Sequence, residues 1–292
     1  MEKEIKIGVK STLIGLIVNS LLAVVKIVSG FFGNSYALIA DGIESTADVV
    51  NSIIVIRGLK ISQIPQDDNH PYGHGKAEPI AAMIVSVFMI GAAIMIMVQS
   101  IYEIVTPHRN PKPFTLVVLA VVIIVKEFMF RKVLKVSDDI DSISVKTDAW
   151  HHRSDAMTSA AAFIGIGIAL YAGSGYENAD DWAALFAGLV IMYNAYSLTK
   201  DSIDELMDSA PPAEFELQVR NIALKVPGVI DTDKCLLRKS GFKYFIDLHV
   251  VVDAEISVHE GHKIGHQVKD KIITTNPRFA DVLVHIEPFQ NL

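Results

Sequence analysis

Long apolar runs fill the first two-thirds of this chain and stop before the last third. Leu13–Val25, Ile80–Val98, Phe114–Val125 and Ala156–Ala172 are the clearest of them. A helix needs roughly 20 mostly apolar residues to cross the hydrocarbon of a bilayer. Runs of this scale restrict the N-terminal part to a bundle of membrane helices, because lipid leaves backbone polar groups no partner but their own helix or a closed barrel. The signal lies in arrangement more than in composition. The whole chain is 51% hydrophobic and 20% charged, close to the usual about 45–50% and 25%. The bunching of the apolar residues therefore marks a membrane domain followed by a soluble one.

Six spans are expected, over 10–32, 36–60, 79–105, 114–134, 146–172 and 179–203. Gly33-Asn34 forms a tight link between the first two. Pro107, Pro111 and Pro113 break the chain after the third, and Ala172-Gly173-Ser174-Gly175 after the fifth. The opening MEKEIKIGVK is charged and runs into apolar sequence with no small-residue cleavage site close behind, so it reads as a retained first span rather than a signal peptide. Lys3, Lys6, Lys10, Arg57, Lys60, Lys76, Arg131, Lys132, Lys135 and Lys146 fall on one side of the bundle, and only Arg109 and Lys112 on the other. Positive charge marks the cytoplasmic side, which puts both termini in the cytoplasm of a multi-pass cell-membrane protein.

Pro211-Pro212 ends the sixth helix and sets the expected boundary: residues 1–210 in the membrane, 211–292 in the cytoplasm. Beyond it, 213–226 reads as a helix, 230–239 and 243–252 as strands joined at Ser240-Gly241, Ile256–Thr274 as a helix and Val282–Ile286 as a last strand. That α-β-β-α-β order describes a small sheet with helices on one face. A net charge of −7 argues against a nucleic-acid partner, and the single cysteine, Cys235, excludes an internal disulfide and a cysteine-rich metal cluster.

Charge inside a membrane is costly and demands a reason. Helix two carries Asp41, Glu44 and Asp48; helix five carries Asp148, His151, His152, Arg153 and Asp155. Glu44 and Asp48 are four residues apart and share a helix face, and His151 and Asp155 repeat the spacing. The two helices run in opposite directions, so Glu44 is placed at the depth of Asp155, and Asp48 at that of His151. Three carboxylates and one imidazole make a four-coordinate site for a divalent cation. Paired charges that merely stabilise packing would not need two such pairs at matched depth. His152 rivals His151, three residues from Asp155, but the four-residue spacing aligns better with Glu44 and Asp48. Asp41 and Asp148 read as helix-end or entry charges. Three carboxylates exceed what a +2 ion needs, and protons can neutralise the excess when the site is empty.

At these residues the sequence resembles the cation diffusion facilitator family, in its bacterial ferrous-iron and zinc efflux branch, over nearly the whole chain. ALIADGIESTADVVNS matches the family's helix-two motif with two ligands four apart, HHRSD its His-x-x-x-Asp motif in helix five, and DDNHPYGHGKAE the signature loop of the branch. Glu44 stands where the branch usually has Asp. The resemblance implies six transmembrane helices followed by a metallochaperone-like, ferredoxin-like cytoplasmic α+β domain. It further implies a homodimer in membrane lipid that exports Zn²⁺ or a related ion against protons by alternating access. In the loop, Asp67, His70 and His74 resemble a second zinc site, against the plainer reading of incidental polar residues. Lys76 resembles an interlocking lysine that pairs with an acid near the end of helix six, here Asp208, to tie two protomers together. In the tail, Asp233, His249, His285 and Glu287 are implied as metal ligands at the dimer interface, with His262 as a bridging neighbour. The family often has His at the Asp233 position and Asp at the Glu287 position. His259 and His266 read as surface residues.

His259-Glu260-Gly261-His262 looks like a metalloprotease HExxH but is one residue short, which excludes a zinc peptidase. A membrane-anchored metal sensor or storage protein without transport is the alternative, but an anchor needs neither six spans nor acids buried among them. Among ions, Zn²⁺ suits a tetrahedral N/O site. Fe²⁺, Mn²⁺, Cd²⁺ and Co²⁺ remain open, while the lack of cysteine argues against Cu⁺.

Overall fold

The computed structural model describes residues 2–33, 36–105, 112–172 and 179–289. Six long helices come first: α1 Glu2–Gly33, α2 Tyr36–Ile61, α3 Ala77–Val105, α4 Phe114–Ile140, α5 Ile143–Ala172 and α6 Ala179–Leu206. The tail adds α7 Ala213–Ala223, β1 Asp231–Ser240, β2 Lys243–Val252, α8 Val258–Thr275 and β3 Phe279–Pro288. The chain divides into one compact unit over Glu2–Ile203 and another from Asp204 onward, so the division falls inside the last turn of α6 and before Pro211-Pro212. The link residue Asn34, the breakers Pro107, Pro111 and Gly173–Gly175, and Arg109 lie outside the described residues.

The membrane helices outrun the expected spans, most clearly at α1 and α4. Hydropathy sees only the part of a helix in lipid. The polar turns of α4 from Arg131 to Asp139 still satisfy their own backbone and continue the helix to Ile140. It stops at Asp141, whose left-handed φ of 54° turns its N–H back to the Ser137 carbonyl. Among the described residues, Lys6–Phe32 and Ala77–Tyr102 are long and apolar enough to cross a membrane by composition alone. The other four helices hold more charge, and the placement of that charge explains them.

The bundle is apolar outside and polar inside. Leu21, Val24, Phe31, Phe88, Met95, Val98, Val117, Ile124, Phe128 and Phe186 are exposed, while Thr12, Asn19, Lys26, Ser45, Ser52, Ser86, Lys126, Thr147, Asp148, His151, His152 and Asp155 are buried. Water would reverse this pattern; a bilayer requires it, since polar groups within its depth must face other protein. α1 packs along α2, α4 along α5, and α1 also meets α4. α2 and α1 approach so closely that a Cβ on Gly42 would lie 2.6 Å from Ile27 Cγ1 and 3.0 Å from the Ile27 backbone nitrogen. α6 packs on α3 through Met89, Ala195 and Leu198, and Thr199 donates to Ser86 Oγ at 2.9 Å.

In the tail, β1 pairs antiparallel with β2, and β2 parallel with β3. Tyr244, Ile246, Leu248, Val250 and Val252 face a core shared with α7 and α8, through Val219, Ile222, Ile264, Val268 and Ile272. Successive strand residues alternate faces, so Phe245, Asp247, His249 and Val251 point the other way. The six-helix unit is thus followed by a small α+β domain with a three-stranded sheet.

Candidate metal centres

α5 carries half of the expected membrane site. His151 and Asp155 are each 7% exposed, and His151 Nε2 stands 4.0 Å from Asp155 Oδ2, one helical turn away. His152 points elsewhere. It is fully buried against α1, where a Cβ on Gly15 would come within 3.0 Å of its Nε2. Asp148, expected as a helix-end or entry charge, is buried at 1% exposure because α5 starts at Ile143 and leaves Asp148 a full turn inside. Arg153 stacks over the Phe130 ring at 4.6 Å and the Trp150 ring at 5.6 Å. The side chains of Asp41, Glu44 and Asp48 lie outside the described residues; their backbone belongs to α2, which packs against α5.

Sequence reasoning missed the groups that face this site from α1 and α4. Lys126 is fully buried, and its Nζ donates to Asp155 Oδ2 at 2.5 Å and to Asn19 Oδ1 at 2.9 Å. Lys26, also fully buried, donates to Ser45 Oγ at 3.0 Å. Both interrupt apolar runs, and the cost of intramembrane charge that singled out helices two and five applies to them equally. A third missed group is Glu78 at the start of α3. It is buried and accepts from Ser142 Oγ at 2.5 Å, where α4 turns into α5.

The loop after α2 brings Asp67, His70 and His74 together. The His70 and Asn69 backbone N–H groups donate to Asp67 Oδ1 at 2.6 and 3.0 Å. His70 Nδ1 lies 3.0 Å from the same oxygen, and His74 Nε2 lies 3.6 Å from Oδ2. Gly73 makes the return possible: its φ of 77° is open to glycine and strained for other residues, and its N–H bonds back to the His70 carbonyl. One ligand atom from each side chain fits within 4.8 Å of the others, and a carboxylate with two imidazoles is a donor set that zinc accepts. Desolvation works to raise the Asp67 carboxyl, but hydrogen bonds from the His70 N–H and side chain and the Asn69 N–H outweigh it and hold the group below its ordinary value.

In the tail, His249 and His285 are register partners on neighbouring strands, with ring centroids 4.8 Å apart. Glu287 Oε1 lies 2.6 Å from His249 Nδ1 and 3.9 Å from His285 Nε2. These three also fit within 4.8 Å of one another. Asp233 and His262 do not join them in the protomer. Asp233 sits where β1 bulges between Thr232 and Cys235, with its carbonyl held by Arg220. His262 lies on α8, which covers the opposite face of the sheet, and its ring meets that of His266 at 4.6 Å. Asp208, at a left-handed φ of 58° after α6, lies 3.4 Å from Arg238 Nη1. Glu205 accepts from the Gly241 N–H at 3.2 Å and pairs with Lys239 at 3.5 Å.

A family model described as the cation efflux transmembrane domain matches residues 12–207, and another, described as the cation efflux protein, cytoplasmic domain, matches residues 211–289. The chain is 30% identical over 288 residues to the manganese efflux system protein MneP of Bacillus subtilis (strain 168), with 97% of each covered. It is 29% identical over 284 residues to the cation-efflux pump FieF of Citrobacter koseri, covering 96% of this chain and 92% of that one. Among solved structures, a cadmium form of the MamM CTD matches with a TM-score of 0.26 and 22% identity, covering 26% of this chain and 96% of its own.

Proposed function

The chain belongs to the cation diffusion facilitator family and is a divalent metal cation efflux transporter, and on that premise we propose that it exchanges metal for protons at Glu44, Asp48, His151 and Asp155. The observation that carries the reading is the buried His151–Asp155 pair, one turn apart on α5 at the polar centre of a bundle with an apolar skin. Metal enters from the cytoplasm, the helices rock, and protons replace the metal on the carboxylates as it leaves on the far side. Zn²⁺ is the first ion to test, because a four-ligand site of oxygens and one imidazole suits it. Mn²⁺ is the second, supported by the relative named as a manganese efflux protein and by three hard carboxylates in the set.

The working unit is a homodimer with both termini in the cytoplasm. Asp67, His70 and His74 hold an ion that stiffens the loop after α2. His249, His285 and Glu287 hold another at the tail, where Asp233 and His262 join as the two protomers meet. Lys76 and Asp208 interlock the protomers at the membrane surface, with Arg238 a neighbour of Asp208. The test is metal uptake by proteoliposomes, with Zn²⁺, Mn²⁺, Fe²⁺, Cd²⁺ and Co²⁺ in competition. Asp48→Ala and Asp155→Ala abolish uptake; unchanged uptake in either variant overturns the site. Metal binding by the protein without any flux would favour the sensor instead.

A further inference from the structure

A divalent ion bound by His151 and Asp155 has a rival already in place. Asp155 Oδ2 is the oxygen His151 Nε2 approaches, at 4.0 Å, and an ion bound about 2 Å from each ligand atom sits between them. The same oxygen accepts from Lys126 Nζ at 2.5 Å. Lys126 is fully buried, so its ammonium has no water to fall back on. A second acceptor, among the described residues, is Asn19 Oδ1 on α1, also fully buried, at 2.9 Å. Among the described residues, the lysine thus has one acceptor the metal competes for and one it does not.

We propose that the Lys126 ammonium is a tethered cation of the transport site, seated on Asp155 Oδ2 while the metal is absent and displaced toward Asn19 when the metal binds. This rests on Asp155 being a transport ligand. Two consequences follow from charge. An empty site with three carboxylates is costly to carry through a conformational change in lipid, and the ammonium neutralises one of them during the return of the empty carrier. With metal bound, the displaced ammonium lies beside a like charge, which weakens binding enough for release, as conduction through any selective site demands. The step is an exchange of partners, with no bond made or broken beyond hydrogen bonds and metal ligation. A second buried lysine, Lys26, shares the α1 face with Asn19 seven residues away and holds Ser45, the neighbour of Glu44.

The test compares two fluxes in the same proteoliposomes containing the full chain. One is net Zn²⁺ uptake into metal-free vesicles, which needs the empty carrier to return. The other is exchange of labelled for unlabelled Zn²⁺ at equal concentration, which does not. In Lys126→Met, net uptake falls relative to exchange by roughly tenfold or more, the scale of one charge-assisted hydrogen bond, and the KM for Zn²⁺ falls because its competitor is gone. In Lys126→Arg, the guanidinium grips the carboxylate with two donors and the KM rises. Equal loss of both fluxes in Lys126→Met with KM unchanged assigns the lysine to packing and overturns the proposal, as does no change in either flux. If Lys126→Met does not reach the membrane, Lys126→Arg decides alone, and an unchanged KM overturns it. Asp155→Ala runs in parallel. Wild-type fluxes in that variant sink the transport-site reading itself, whereas their loss together with an unaltered flux ratio in Lys126→Met sinks only the lysine proposal.

Discussion

Adjacent histidines on α5 face different neighbours because a helix turns by about 100° per residue. His151 shares a face with Asp155, while His152 fills the space that Gly15 leaves on α1. On the proposed site His151 is one of four ligands, so His151→Ala is expected to lower metal flux by about tenfold or more while leaving thermal stability near wild type. His152→Ala opens a hole among buried groups and lowers the Tm, with a cost of about 2–4 kcal/mol. A larger loss of metal affinity in His152→Ala than in His151→Ala would reverse the two assignments. At Asp67 the prediction concerns pH. A carboxyl held low in the folded loop favours that loop above the ordinary value of about 4 and loses the contribution as pH falls through the lowered one. The protection of the His70 N–H in the metal-free protein, its exchange rate relative to an unfolded chain at the same pH, therefore holds at neutral pH and falls below about pH 4. Asp67→Asn abolishes that dependence.

Among elements, the α1–α2 pair and the start of α8 make opposite demands on small changes. At Gly42 the nearest atoms to an added Cβ include backbone, which cannot swing aside as a side chain can. Gly42→Val forces α1 and α2 apart at an overpacking cost of about 1–3 kcal/mol, read as a lower Tm and reduced uptake. α8 begins with Ser257, whose side chain accepts from the Glu260 N–H. Ser257→Ala costs about 1 kcal/mol, visible as a lower midpoint for unfolding of the tail. Ser-x-x-Glu is a start signal that can be read directly from sequence, yet the expected helix began at Ile256, one residue ahead of this cap. The strands were legible for a related reason. Alternation along 243–252 sends Tyr244, Ile246, Leu248 and Val250 inward and leaves His249 on the outer face, where it meets His285. Asp233 was not legible in this way, because a bulge breaks the alternation just before Cys235 and sets the residue off the ladder.

For the whole molecule, the burial pattern separates two media. Along its apolar stretches the helical unit buries Lys26, Lys126 and Asp155 and shows its aliphatic side chains, whereas the tail unit gathers its apolar side chains into a core of its own. Cys235 reports on that tail core. Burial pushes its thiol up to about 11, so alkylation near pH 8 is slow in the folded protein and accelerates once denaturant opens the tail. A thiol raised above its unfolded value makes the fold lose stability as pH climbs from about 8.5 toward that higher value. Thiol labelling of intact protein at the rate of a free cysteine would contradict the packing of β1 on α7 and α8.

The sequence by itself determined the membrane helices, the element order of the tail and the two four-residue spacings, Glu44/Asp48 and His151/Asp155, on which the proposed site is built. Each of these depends on periodicity along one segment and on the free energy of moving that segment between water and lipid. Only the tertiary structure decided which buried charge meets which. That Lys126 reaches from α4 to Asp155 on α5 and Asn19 on α1, and that Gly15 receives His152, depends on the rotation and depth of neighbouring helices. A helix's own period fixes the face a residue occupies and leaves its partner open, because partners are set by side-chain packing between elements far apart in the chain.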